Sequence, residues 1–307
     1  MARRAVRVGA LLAILLMPAS GYAQSDAYRV PRTEHGHPDF QGVWGTAFLT
    51  PLERPDGVTD LIVSPAQAEK LVAAIRKKRP AVTDPDVQLD DIRTLAKVKG
   101  AFRTSVIVDP PDGQMPFTQA GSELANKVIA RDEGQFDDPE QRPLAERCLD
   151  NMGYAPIRAL AVFLPRQIVQ TRDYVLIMAE DTIGLRLIHL RDTPHPAVLR
   201  SVEGYSRGRW DRDTLVVETT QFLTDDPARS VAGRRPLLLS PRTKITEWFT
   251  RVSATELFYR FTVVDDELYS RPFSGEFSLT WHDGPTYEYA CHEANYSLPN
   301  ILRGGQK

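Results

Sequence analysis

From Ile157 to the C-terminus the sequence breaks into short runs rich in β-branched and aromatic residues, separated by turn formers. Nothing else in the chain constrains its fold as strongly, because runs of this kind read as strands and short turns between them favour antiparallel pairing. The runs are Arg166 to Thr171, Tyr174 to Glu180, Leu185 to Leu190, Thr214 to Phe222, Lys244 to Val252, Glu256 to Val264, Ser274 to Trp281 and Thr286 to Glu293. Connections at 181–184, 211–213 and 282–285 are only a few residues long. Strands do not alternate with helices and no glycine-rich loop opens a helix, so a dinucleotide-binding or P-loop fold is not supported. The expected class is all-β: an antiparallel meander, either barrel-like in the manner of a lipocalin or a sandwich. In 257–264 one face carries Leu257, Tyr259, Phe261 and Val263, and the other carries Phe258, Arg260, Thr262 and Val264. Two largely apolar faces suit a strand covered on its outside by N-terminal helices, and they also suit a barrel lined by Tyr and Phe around a ligand.

The chain ahead of this region reads as a wrapping. Residues 1–23 form a leader, 24–143 an arm and helices around the core, and 144–307 the antiparallel β domain. Turn formers dominate 24–60, with one short strand around Val43 to Phe48. Ser64-Pro65-Ala66-Gln67 is a helix start, with Ser64 as cap, Pro65 in the first turn and Gln67 completing a capping box. A short strand is expected from Ser105 to Val108, and a second helix from about Thr118 to Arg131.

Arg3, Arg4 and Arg7 precede the uncharged run Val8 to Met17, which is too short to cross a bilayer. Gly21 and Ala23 stand at the minus-three and minus-one positions, so the expectation is a signal peptide cleaved after Ala23 and a periplasmic or secreted protein without a membrane span. Cleavage removes three arginines and no acids, taking the formal charge from -2 to -5. A mildly acidic chain without Lys/Arg blocks is a poor match for a phosphate backbone, so nucleic acid is not an expected partner. The two cysteines, Cys148 and Cys291, both lie in the exported part, where an isolated pair most simply forms a disulfide.

Several stretches resemble a family of exported bacterial β-rich proteins with a C-terminal YACHExNY-type motif. They are HPDFQGVW (37–44), VDPPDGQMPFTQAG (108–121), ERCL (146–149), GYSRGRWDRDTLVVETTQF (204–222), ITEWFTRVSATELFYRFTVVDD (245–266) and YACHEANYSLPNILRGG (289–305). The resemblance spans nearly the whole exported chain. It implies secretion and a β-rich domain, and brings no reaction with it. Where the family usually has glycine after Cys-His-Glu this chain has Ala294, and a histidine common before the strand of the Glu247 equivalent is replaced here by Arg242 to Lys244.

Candidate chemistry concentrates on the last strands. On a strand, Glu288 and His292 share one face, while Tyr287, Tyr289, Cys291 and Glu293 share the other. Glu247 alternates with apolar neighbours, and a buried carboxyl shifts toward the range useful for proton transfer, so His292, Glu288 and Glu247 are the catalytic candidates. The competing reading pairs Glu247 with Arg251 or with a cation on a neighbouring strand. Tyr259, Tyr287 and Tyr289, together with Arg207, Arg209 and Trp210 in Ser206–Trp210, are candidate ligand-binding residues. The histidines His35, His37, His189, His195 and His292 lack carboxylates at ligand spacing, so no metal and no cofactor is expected. Signatures of serine hydrolases and zinc proteases are missing. The leading expectation is a binder of an apolar or aromatic small molecule. The alternative is a cofactor-independent lyase, isomerase or hydrolase using a His/Glu pair. The oligomeric state is left open.

Overall fold

Alternation along the strands decides which side of each turns inward, and the strands close on themselves into a barrel. The structure, a computed structural model, describes residues 28–78, 92–144, 146–149, 154–159, 164–179, 185–192, 194–196, 198–224, 228–229, 235–287, 291 and 296–305. In chain order the elements are β1 (Gly42–Thr46), β2 (Ile62–Val63), α1 (Pro65–Lys78), β3 (Lys97–Val98), β4 (Ala101–Arg103), β5 (Ile107–Asp109), α2 (Gln119–Gly134), β6 (Leu164–Gln170), β7 (Tyr174–Ala179), β8 (Leu185–His189), β9 (Tyr205–Asp211), β10 (Thr214–Thr220), β11 (Ala228–Arg229), β12 (Leu237–Leu238), β13 (Lys244–Arg251), β14 (Glu256–Val264), β15 (Phe273–His282) and α3 (Ser297–Gly305).

Among the described residues nine strands form the barrel, in the order β1-β6-β7-β8-β9-β10-β13-β14-β15, with β15 pairing back onto β1. Of the two expected architectures, closure selects the barrel: β1 joins β6 on one side and β15 on the other, with Trp44 opposite both Arg166 and Trp281. The stave that completes the wall comes from the N-terminal arm, so the arm is part of the barrel as well as its wrapping. β15 is long enough to serve two neighbours, β1 near its end and β5 near its start. Closed pairing leaves no open edge in this part of the sheet.

All neighbours in the ring pair antiparallel except β8 and β9, which run parallel. β9 is not among the expected strands; the sequence marks Ser206–Trp210 only as a candidate ligand-binding stretch. β9 joins β10 by a hairpin through the connection at 211–213 and β8 in parallel, the latter after the crossover that a parallel neighbour needs. The last expected strand, Thr286 to Glu293, is not seen in its described residues; Thr286, Tyr287 and Cys291 lie outside any strand.

Inside the ring, β13, β14 and β15 present Ile245, Phe249, Leu257, Tyr259, Phe261, Val263, Phe273, Phe277 and Leu279, all buried. Tyr259 lies 5.0 Å from Phe249, 5.9 Å from Phe261 and 4.9 Å from Phe277 between ring centroids, which is contact packing of a core. Gly275 makes this possible, because a Cβ there would stand 2.4 Å from the Phe261 ring. On the outer side of β14, Phe258 meets Lys99 from the β3–β4 turn, with the ammonium 5.2 Å from the ring centre.

One end of the barrel is capped by residues 37–41. The Trp44 indole donates to Phe40 O at 2.8 Å, Gln170 binds Phe40 N and Pro38 O at 2.6 and 3.0 Å, and Arg251 donates to Asp39 O at 2.7 Å. The helices sit outside. In α1, Ser64 and Gln67 form the expected capping box, and Ala68 and Val72 close a small cluster with Leu49, Ile92 and Leu95. In α2, capped by Thr118, Ala125 and Val128 join the main core.

Candidate functional site

The barrel interior is not wholly apolar. On β8, Arg186 and Ile188 turn inward, while Leu185 and Leu187 face out. The Arg186 guanidinium reaches across the interior, past β9 and β10, to Glu247 on β13. Nη1 donates to Oε1 at 3.0 Å and Nη2 to Oε2 by a short contact. Nη2 also donates to Thr219 Oγ1 at 3.0 Å and Nε to Ser206 Oγ at 3.2 Å, and these two hydroxyls are 2.9 Å apart. From the other side the Tyr259 phenol donates to Glu247 Oε1 at 2.8 Å and accepts the Ile157 N–H at 2.9 Å.

Every member of this cluster is buried, and Glu247, Tyr259 and Thr219 are shut off from solvent entirely. Burial opposes the charge on Arg186, but Glu247, helped by Tyr259 and Glu203, outweighs it and raises the guanidinium above its ordinary value. Burial, reinforced by Glu247, pushes the Tyr259 phenol well above its usual range. The cluster therefore holds a bidentate ion pair and a phenol fixed in its protonated, donating form.

The segment Tyr154–Ala159 lies against this cluster. Tyr154, Ala155, Ile157 and Ala159 are buried, Ile157 docks on Tyr259, and Arg158 O accepts from a second interior arginine, Arg166, by a short contact. Register places Arg166 beside Trp44 on the inward side of the wall, and Thr46 shares that side. The Thr46 hydroxyl is buried with no hydrogen-bond partner among the described residues.

The expected site residues are only partly brought together. Glu247 and Tyr259 meet directly. Glu247 is an ion-pair partner, as one reading held, but its partner is Arg186 on β8. Arg251 instead donates to main-chain carbonyls and stacks over Trp44 and Trp281. Arg207 and Arg209 project from the outside of β9, Arg207 onto Asp192. Trp210 is half-buried, with its indole stacked on His37 at 5.1 Å and tilted against Phe40 at 5.3 Å. Tyr287 is 69% exposed. His292, Glu288 and Tyr289 lie outside the described residues. Cys148 and Cys291 stand at disulfide distance, with Cα atoms 5.8 Å apart, joining the chain before β6 to the chain after β15.

No protein-family model, curated protein or solved structure matches this chain. Among the described residues no helix is long and apolar enough to cross a membrane, and no group of three or more His, Cys, Asp and Glu side chains is placed to share a metal ion.

Arg186, Ser206 and Thr219 were not singled out from sequence. For Arg186 one signal existed: in Leu185–His189 the arginine alternates with leucines, so one of the two faces must be wrong for a half-buried strand. The apolar face is the natural choice for the inside, and the structure takes the other.

Proposed function

We propose that this chain binds an apolar or aromatic small molecule inside its barrel, against the Arg186–Glu247–Tyr259 cluster, and that it does so in the periplasm or outside the cell. The observation that carries the reading is a fully desolvated ion pair with three hydroxyl partners, packed against the aliphatic and aromatic side chains of β13 to β15. A buried pair of this kind contributes little stability compared with apolar residues of similar volume, so its presence asks for another use. Ligand sites combine apolar walls with a few polar groups that fix orientation. Here Arg186 and the protonated Tyr259 are the donors, and the rings around Tyr259 are the walls. The docked segment Tyr154–Ala159 occupies the approach, so a ligand takes the place of the Ile157 contact.

The experiment is a double variant, Arg186→Met with Glu247→Leu, probed with the aromatic anion anilinonaphthalene sulfonate and by native mass spectrometry of protein taken directly from cells. A folded double variant that has lost probe binding and any co-purifying small molecule supports the reading. Unchanged binding sinks it.

A second reading, a cofactor-independent acid–base enzyme, is favoured by one observation: a phenol held protonated while it donates to a carboxylate is a ready proton donor. Both oxygens of Glu247 are already engaged, so the base in this reading falls to His292 with Glu288. A His292→Ala protein that still binds ligand supports the binder. Loss of turnover on a substrate with binding retained supports the enzyme.

A further inference from the structure

The crossover from β8 to β9 rests on the outside of the barrel through a row of four rings. Tyr174 on β7 meets His189 edge-on at 5.4 Å, His189 tilts against Tyr205 on β9 at 4.8 Å, and Tyr205 lies flat against His195 of the crossover at 4.0 Å and 3°. His195 Nε2 is held 3.2 Å from Leu199 O. His189 Nδ1 is closed off from solvent and meets no hydrogen-bond partner among the described residues.

Charged groups surround the row on every element packed against it. The turn before β7 supplies Arg172 and Asp173, and Asp173 is paired with Arg191 of the crossover. On β9, Arg207 is the register partner of His189 and pairs with Asp192 of the crossover. Asp173 and Asp192 are thus each engaged by an arginine, while His195 is the group of like sign that acts on His189. Burial, and after it His195, hold His189 below the ordinary histidine value.

We propose that His189 is a proton-operated latch: neutral, it seats the crossover against β7 and β9, and its protonation releases the crossover from Tyr205. A doubly protonated imidazole is a donor at both nitrogens. In the seated state that places an N–H where there is no acceptor among the described residues, and a positive charge beside His195. The tyrosine faces soften this penalty but accept no Nδ1 proton. The seated form therefore binds the proton more weakly than the released form. Its advantage is complete at neutral pH and is lost as pH falls through about 6.5, the value of a free histidine. The loss grows by up to about tenfold per pH unit until the seated histidine itself titrates. Release is confined to the crossover's first half, because its second half is tied elsewhere: Ser201 N–H donates to Gln221 O and Ser201 O accepts from Leu223 N–H, and Arg200 donates to Phe222 O and Pro241 O.

The test is hydrogen exchange of the full chain between pH 7.5 and 5.5, corrected for the intrinsic pH dependence of exchange, in wild type and in His189→Phe. The expected result is a fall of about tenfold in protection of amides 190–199 between pH 6.5 and 5.5 in wild type, with β13 and β14 unchanged, and no such fall in His189→Phe. Flat wild-type protection, or an equal fall in the variant, overturns the proposal. If His189→Phe does not fold, an NMR titration of wild-type His189 decides instead. A midpoint below 6.5 supports the latch, and a midpoint at or above it overturns the latch.

Discussion

The two walls of the barrel are built on opposite plans. Along β13 to β15 the inward side is aliphatic and aromatic apart from Glu247 and, at the end of β13, Arg251, and the outward side carries Lys244, Thr246, Arg260, Thr262 and Glu276. Along β6 to β9 the inward side includes Arg166, Arg186 and Ser206, while Val169, Met178, Leu185 and Leu187 face out at 39%, 40%, 46% and 37% exposure. One wall follows the rule that apolar residues go inside, and the other partly inverts it. The difference teaches that the first wall is filled to be a core, whereas the second is drawn inward by one partner, the single acid that the first wall offers.

The largest effect should come from removing that acid. Glu247→Ala leaves Arg186 charged and uncompensated in the interior, and is expected to cost about 3–5 kcal/mol in urea unfolding. The paired change Arg186→Met with Glu247→Leu should recover most of the loss, because it removes the charge as well as its partner. A double variant no more stable than Glu247→Ala would mean that the two walls are not joined through this pair.

Next in size is Tyr259→Phe, which keeps the ring in its packing but strips Glu247 of a donor and the Ile157 N–H of its acceptor. Leaving a buried amide unsatisfied costs roughly 1–3 kcal/mol. The same melt followed by hydrogen exchange should show residues 154–159 losing protection before the strands do. Smaller again is Ile245→Val, two residues from Glu247 on the same inward side. It removes one methylene from a packed wall and should cost about 0.5–1.5 kcal/mol. A loss as large as that of Glu247→Ala would erase the distinction between the acid and its apolar neighbours.

The first wall was the legible one. Alternation in Leu257–Val264 identified a strand with Leu257, Tyr259, Phe261 and Val263 together, and those four side chains line the interior. Burial of large apolar side chains is a local property that a strand's own pattern reports. The second wall was not legible, for two physical reasons. A strand pattern specifies two faces without saying which is inside, and in β8 the partner that decides it, Glu247, is 61 residues away. β9 was hidden because its own run, Tyr205–Asp211, mixes arginines, serine and glycine and lacks the β-branched residues that mark the other strands, although the 211–213 connection announced its hairpin with β10. Glu247 itself was found as a candidate, and its partner was sought at Arg251 or across the strands; Arg251 shares its face but lies too far along it, and the cross-strand cation is Arg186 on β8.

The smallest predicted effect is the sharpest test of the inverted wall. Leu187 lies opposite Leu176 on β7, and with Val169, Met178 and Leu185 it makes an apolar surface on three adjacent staves. If water bathes that surface, Leu187→Thr exchanges one side chain that suits a strand for another and should change stability by no more than about 0.5 kcal/mol. Thermal unfolding at two protein concentrations, a hundredfold apart, measures this directly. A larger, concentration-dependent loss would show that the outward leucines are buried in solution by another copy. In that case β6 to β8 would be apolar on a covered side, and the contrast between the walls would narrow to Arg166 and Arg186 alone.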